Sequence, residues 1–271
     1  MNTPNPFSLP EPWSLVASGY AETTMHFLGQ YTDSILARYP LAPHFRVADI
    51  ACGPGTVSRK IYTQVARIDA VDFSQDMIAL LQQFVSENQI STIHPVVGDG
   101  QALPLKDSTY DLAISMFGLM FFPDRIRGFS EAYRILDRGG RAIVASWAPV
   151  SDSPAMQLMF GAIRMINPNV PKPGAVVTNL ESPDLFKWEL GVTGFKDVEI
   201  FKVTQPMTAE SAESFWDDME KGSAPIAVMK SRNTPEEWAQ KREIAITYIQ
   251  GQISRFPTTL TSDAWIATGI K

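Results

Sequence analysis

Cysteine is nearly absent from these 271 residues: Cys52 stands alone, which excludes an intrachain disulfide. Three scattered histidines, His26, His44 and His94, together with one thiol offer no zinc-ligand spacing, so no metal is expected. Positive charge is also short. Lys and Arg total 23 against 29 Asp and Glu, a formal charge of -6, and no basic run extends beyond pairs such as Arg59-Lys60 and Lys241-Arg242. Such a surface repels phosphate backbones, so no nucleic acid is expected as a partner. No Lys or Arg precedes Arg38, so the basic flank of a targeting segment is missing. The longest apolar stretch, Leu112 to Phe122, is broken by Ser115 and Gly118 and falls short of the roughly 20 residues that cross a bilayer. A cytoplasmic chain without a membrane span is the expectation, and nothing in the sequence fixes its oligomeric state.

What is present is core material. Hydrophobic residues make up 45% and charged ones 19%, enough to bury a large interior, and no Gly/Ser linker divides the chain. Four prolines between Met1 and Pro12 predict an extended arm, and apolar spacing from Ser14 to Tyr39 predicts one or two amphipathic helices. From Phe45 the pattern alternates. Strands are expected at Phe45 to Ala51, Arg67 to Phe73, Thr92 to Val97, Tyr110 to Met116 and Arg141 to Trp147. Helices are expected at Thr56 to Ala66, Ser74 to Glu87 and Arg125 to Leu136, with a turn at Asp137 to Gly140. Repeated βα units with right-handed crossovers imply a doubly wound α/β fold with a parallel sheet. Beyond Trp147 the alternation breaks. Helices at Ser153 to Ile166, Ser182 to Leu190, Ala209 to Glu220 and Pro235 to Ser254, around a loop with Pro168, Pro171 and Pro173, leave strands at Val198 to Val203 and Asp263 to Ile270. The chain thus divides into an arm with lid helices (1–44), a binding core (45–150), and lid helices with two last strands (151–271).

Three corners follow three strand ends. Asp49-Ile-Ala-Cys-Gly-Pro-Gly55 lets the backbone turn tightly and approach a ligand at the start of a helix. Asp72, ending the second strand, stands where a carboxylate accepts from ribose hydroxyls, while Ser74 has the place of a helix N-cap. Gly98-Asp99-Gly100-Gln101 puts an acid after the third strand, either to meet an exocyclic amine or to close an Asx turn.

These motifs, in this order, resemble the class I S-adenosylmethionine-dependent methyltransferases, and most of all the branch that includes the ubiquinone/menaquinone-biosynthesis C-methyltransferases. The resemblance runs from residue 45 to 147 and includes Ala102-Leu-Pro-Leu, Tyr110-Asp111, Ser115-Met-Phe-Gly118 and Leu136-Asp-Arg-Gly-Gly140. Ala51 replaces the first glycine of the family's acidic Gly-x-Gly-x-Gly pattern. The resemblance implies a seven-stranded Rossmann-like sheet of order 3-2-1-4-5-7-6, with Trp265 to Lys271 as its antiparallel seventh strand. It implies S-adenosyl-L-methionine as cofactor, S-adenosyl-L-homocysteine as product, and a small apolar or aromatic acceptor. It assigns cofactor contact to Asp49, Ala51, Gly53, Gly55, Asp72, Phe73, Met77, Gly98, Asp99, Gly100, Gln101 and Ser115. Trp13-x-x-x-Ala17-x-x-Tyr20 resembles the branch's N-terminal signature, in which the tyrosine closes over the methionyl end.

Methyl transfer needs alignment and dryness rather than an acid, because the leaving group departs neutral. A base is needed only where the acceptor must lose a proton. Tyr20 and His26 are the candidate catalytic residues, with Glu22 and Asp218 as further carboxylate candidates. His44 and His94 lie away from the sheet's carboxyl edge, and Cys52, inside the turn and without a histidine partner, reads as packing. Met116, Phe117 and Met120, with Phe121 and Phe122, end the fourth strand and are expected to touch the acceptor. The lid's Trp188, Phe195, Phe215, Trp216, Met219, Met229 and Trp238 are divided between core and pocket. Two other readings stay open. An NAD(P)-dependent oxidoreductase fits Gly53-x-Gly55 and Asp72 but finds Ser58 where its third small residue belongs. A non-catalytic S-adenosylmethionine-binding protein would share every motif.

Overall fold

A computed structural model describes residues 5–170 and 180–271. Pro171 and Pro173 of the expected Pro-rich loop, and Met1 to Pro4 of the arm, lie outside the described residues. Seven strands, β1 (Arg46–Ile50), β2 (Arg67–Asp72), β3 (Ile93–Val97), β4 (Tyr110–Met116), β5 (Leu136–Trp147), β6 (Lys196–Ala209) and β7 (Thr258–Ile270), form one sheet of order β3-β2-β1-β4-β5-β7-β6. The first five run parallel, and β7 is antiparallel to both β5 and β6. Fold class, strand order and the direction of the last strand agree with the sequence reading.

Each inner strand is buried on both faces, so its residues alternate between two cores rather than between core and water. On one face Val47, Ile68, Leu112 and Ile143 pack with Leu28, Tyr31 and Ile35 of α2 (Met25–Arg38), Ile61 of α3 (Ser58–Ile61) and Leu81 of α4 (Gln75–Glu87). On the other, Ala48, Ile50, Ala113 and Val144 meet Phe129 and Ile135 of α5 (Arg125–Ile135) and Phe186 and Leu190 of α7 (Pro183–Val192). The elements after β1 and β4 therefore cover opposite faces, which opens a crevice beyond the carboxyl ends of these two strands.

A third core holds the cover. Leu158 and Ile163 of α6 (Pro154–Ile166), Phe215 and Trp216 of α8 (Ala212–Gly222), Ile226 of α9 (Ala224–Lys230) and Trp238 and Ile249 of α10 (Pro235–Gln252) pack together, away from the sheet cores. β6 and β7 carry this bundle. Their pairing continues from Thr204↔Asp263 to Ala209↔Thr258, past the last β5 partner at Ala264, so a two-strand arm reaches out and buries Met207 and Leu260 among the lid helices. Alternation marked the middle of β6 at Val198 to Val203 and the C-terminal part of β7 at Asp263 to Ile270, because Thr204, Gln205 and Pro206 in β6 and Thr258 to Ser262 in β7 interrupt the apolar period. The expected turn at Asp137 to Gly140 is part of β5, α3 is shorter than the expected Thr56 to Ala66, and α9 lies between the two expected helices Ala209 to Glu220 and Pro235 to Ser254.

The arm is also more regular than expected. Residues Pro6–Ser8 form a 3-10 turn and α1 starts at Glu11, with Pro12 at a helix-start position that needs no N–H donor. α1 (Glu11–Gly19) runs through a π-helical turn, Tyr20–Thr24, directly into α2. Gly222 explains how α8 lies so close to this turn: a Cβ there would sit 2.0 Å from the Thr24 hydroxyl. Among the described residues no helix is long and apolar enough to cross a membrane.

Tyr31 ties the N-terminal helix to the sheet, donating its buried hydroxyl to the Ser262 carbonyl at 2.7 Å. Tyr31→Phe removes this buried hydrogen bond, and we expect a loss of about 1 kcal/mol in urea unfolding.

Candidate functional site

The site begins with a backbone constraint. To leave β1 at once, Ala51 takes φ 55, a left-handed conformation that costs a non-glycine residue roughly 1–2 kcal/mol. Phe117, ending the neighbouring strand β4, takes φ 62. Two such residues flank the place where the strand order reverses, and strained backbone concentrates at ligand sites. The turns also interlock. Gly118 lies against Ala51 so tightly that a Cβ on Gly118 would fall 2.3 Å from the Ala51 Cβ.

Two buried carboxylates brace the turn from below. Asp49 accepts from the Ser58 N–H at 3.2 Å and from its hydroxyl at 2.6 Å, fixing the first turn of α3. Asp72 accepts from the Gly53 N–H and from the Ser74 N–H, both at 2.8 Å. Burial is the main cause that pushes Asp49 up to about 7 and Asp72 up to about 6, against the hydrogen bonds that favour their charged forms. Ser74 caps α4 by accepting from the Met77 N–H, so capping and the Asp72 carboxylate coexist. In the third corner Asp99 is exposed and accepts from the Gln101 N–H at 2.8 Å, closing an Asx turn.

The corners enclose a cavity of about 120 Å³ lined by Ala51, Gly53, Asp72, Phe73, Met77, Gly98, Asp99, Gly100 and Gln101. Asp49, Gly55 and Ser115 do not line it. Asp49 is committed beneath the turn, Ser115 accepts from the Leu119 N–H at 3.2 Å, and Gly55 faces α4, where a Cβ would meet Leu81 at 2.6 Å. Met116, expected on the acceptor side, lines this smaller cavity, as does Phe122.

A second cavity, about 1320 Å³, lies under the lid helices. Phe117, Met120 and Phe121 after β4 line it, and of the undivided lid residues Phe215, Met219 and Met229 do so, whereas Phe195, Trp216 and Trp238 are core and Trp188 is exposed. Phe7, Trp147, Met156, Met159, Phe160 and Met207 also line it and were missed. Of these only Trp147 carried a signal, its place at the carboxyl end of β5. Glu22, His26 and Asp218 border the same cavity and are exposed, so they stand at its rim. Partial desolvation at that rim pushes the Asp218 carboxyl up. His44 and His94 lie elsewhere, the latter 3.0 Å from the Arg67 guanidinium. Cys52 is buried, which pushes its thiol up and leaves it unsuited to attack. Among the described residues no group of three His, Cys, Asp or Glu side chains could hold a metal ion.

Phe7, Trp13, Tyr20, Phe117 and Phe121 line both cavities and so form the passage between them. A small polar-rimmed corner therefore opens into a roomy apolar chamber. Residues 47–140 match the family described as a methyltransferase domain. That match covers 94 of the 271 residues. It is 32% identical over 112 residues to a demethylmenaquinone methyltransferase of Lactiplantibacillus plantarum, covering 40% of this chain and 47% of that one. It is 29% identical over 174 residues to a ubiquinone/menaquinone biosynthesis C-methyltransferase UbiE of a Geobacter species, covering 59% of this chain and 74% of the other. The matched part thus spans from about half to three quarters of these relatives. The YcgJ protein of Bacillus subtilis shares the fold, with a TM-score of 0.59 over 91% of this chain and 98% of that one at 16% identity.

The interlock of Ala51 with Gly118 gives a double-mutant test. Gly118→Ala should cost about 2 kcal/mol or more, Ala51→Gly should be neutral or stabilising by up to about 1 kcal/mol, and the double variant should recover most of the loss. Thermal unfolding of the four proteins measures the coupling.

Proposed function

We propose that this chain is an S-adenosylmethionine-dependent methyltransferase whose acceptor is an aromatic ring of the quinol class bearing an extended apolar body. The observation that carries the reading is the opening of the Gly53–Asp72–Gly98 corners, through shared aromatic side chains, into a large chamber lined by Phe, Met and Trp. At about 1320 Å³ that chamber exceeds the 300–1,000 Å³ usual for compact ligands, so the acceptor is larger than a bare ring. The names of the curated relatives point to the same acceptor class.

The residues present fit the cofactor. Gly53, whose Cβ position is open toward Tyr20, keeps the cradle clear, Asp72 offers carboxylate oxygens to hydroxyl donors, and Phe73 and Met77 give apolar contact for a purine. Bound there, the cofactor supplies an electrophilic methyl group on a positively charged sulfur. Asp49, Ala51 and Gly118 hold the turn in shape, and the apolar chamber excludes water. Orientation of this kind contributes up to roughly 7–11 kcal/mol to a displacement. Where the acceptor carbon is activated by a ring hydroxyl, that hydroxyl must lose its proton, and Glu22, His26 and Asp218 border the acceptor chamber to receive it, directly or through solvent. The oxidoreductase alternative is disfavoured by Ser58, whose N–H and hydroxyl are both given to Asp49. Methyl release from the loaded chain separates catalysis from binding alone.

Calorimetry tests the cofactor assignment. S-adenosylmethionine should bind and NADH should not, and Asp72→Asn should weaken binding by about 1–3 kcal/mol. Asp72 has its pKa near 6 in the free protein, so the accepting carboxylate is present above that pH and lost below it. Affinity should then fall toward tenfold per pH unit below about 6, and this slope should vanish in Asp72→Asn. Equal affinity at pH 5 and pH 7.5 would remove Asp72 from the role.

A further inference from the structure

The five residues that line both cavities, Phe7, Trp13, Tyr20, Phe117 and Phe121, are all aromatic, and one of them is fixed at a cost. Phe117 is 5% exposed and held at φ 62, with its N–H donated to the Ala145 carbonyl at 3.1 Å. Its ring is held between Tyr31, at 5.1 Å between centroids and 70°, and Trp147, at 4.2 Å and 35°. Tyr31 is itself anchored on Ser262. Across the passage Trp13 stands 5.0 Å from Phe121 and donates its indole N–H to the Phe7 carbonyl at 2.9 Å. Tyr20 completes the ring: burial above all, and then the Asp72 and Asp49 carboxylates, oppose ionisation of its hydroxyl.

We infer that this aromatic collar, with Phe117 as its rigid member, is a charge-selective threshold: it favours a cofactor carrying a cationic sulfur over the neutral product left after transfer. The inference rests on the cofactor reading above. In the transfer the sulfur–methyl bond breaks, its electron pair stays on sulfur, the methyl carbon bonds to the acceptor carbon, and the acceptor gives up a proton. Positive charge therefore disappears from the collar as the product forms. A cation near desolvated aromatic faces is attracted by their quadrupoles, and a thioether of nearly the same shape is not. Packing alone does not require Phe117 to line both cavities. The collar assigns Phe117 a role in discrimination and in product release, separate from the hydrogen-bonding part of Asp72.

Fluorination of the Phe117 ring tests this, because it weakens the face quadrupole while keeping the ring's outline. The full-length chain carrying Phe117→fluorophenylalanine with one, two or three fluorines is titrated with S-adenosylmethionine and with S-adenosylhomocysteine. The affinity for the charged ligand should fall stepwise by roughly 3- to 30-fold in all, while that for the neutral one stays within about twofold. Phe117→Leu, which removes the face altogether, should narrow the ratio of the two affinities in the same direction. Parallel changes for both ligands, or no change for either, would overturn the proposal while leaving the cofactor reading intact. Failure of the unsubstituted chain to bind either ligand would overturn both.

Discussion

The contact between the turn after β1 and the turn after β4 governs this molecule. These strands are neighbours, yet the chain leaves them toward opposite faces of the sheet, so two backbone turns must pass each other at one point. Ala51 and Gly118 meet there with no room for another methyl group. The crossing leaves a crevice that neither α3 nor α5 can fill, and it forces Ala51 and Phe117 into left-handed backbone. Buried hydrogen bonds hold that strain in place: Asp49 on Ser58 and Asp72 on Gly53.

The cover follows from a second constraint. β6 and β7 outrun the sheet, and a two-strand arm with one apolar face has to be buried by something. Helices α6, α8 and α10 do so with Trp216 and Trp238 at their centre, leaving between themselves and the crevice a space they do not fill. The N-terminal helix closes that space from the other side, with its π-helical turn bringing Tyr20, Thr23 and Thr24 toward it. Lid and crevice meet at the aromatic passage, and the chemistry proposed for the chain belongs at that meeting.

Most of the crevice was legible in the sequence, because its parts are local. A strand end, a small-residue turn and a carboxylate lie within a few positions of one another, as in Asp49 to Gly55 and in Asp72 to Ser74. The same locality hid the division of labour among them. Nothing in the motif distinguishes Asp72, which lines the cavity, from Asp49, which braces the turn beneath it, since that difference comes from α3 folding back to offer Ser58. The lid was legible as helices and not as a surface. Whether Trp216 or Met219 faces the chamber depends on how α8 meets α10 and the β6–β7 arm, contacts made across long sequence separations. Phe7 shows the limit most plainly: a Pro-rich arm reads as irregular, and only its packing against Trp13 and Phe121 brings it to the passage.

The central claim is that the crevice presents a sulfonium methyl group, through Tyr20 and Phe117, to the chamber beyond. An isotope-filtered NOE spectrum of the chain saturated with S-adenosylmethionine labelled with carbon-13 at the transferable methyl measures this directly. Cross-peaks are expected from that methyl to ring protons of Tyr20 and Phe117 and to the Met120 side chain. Saturated binding with the methyl's cross-peaks confined to residues outside the passage would contradict it.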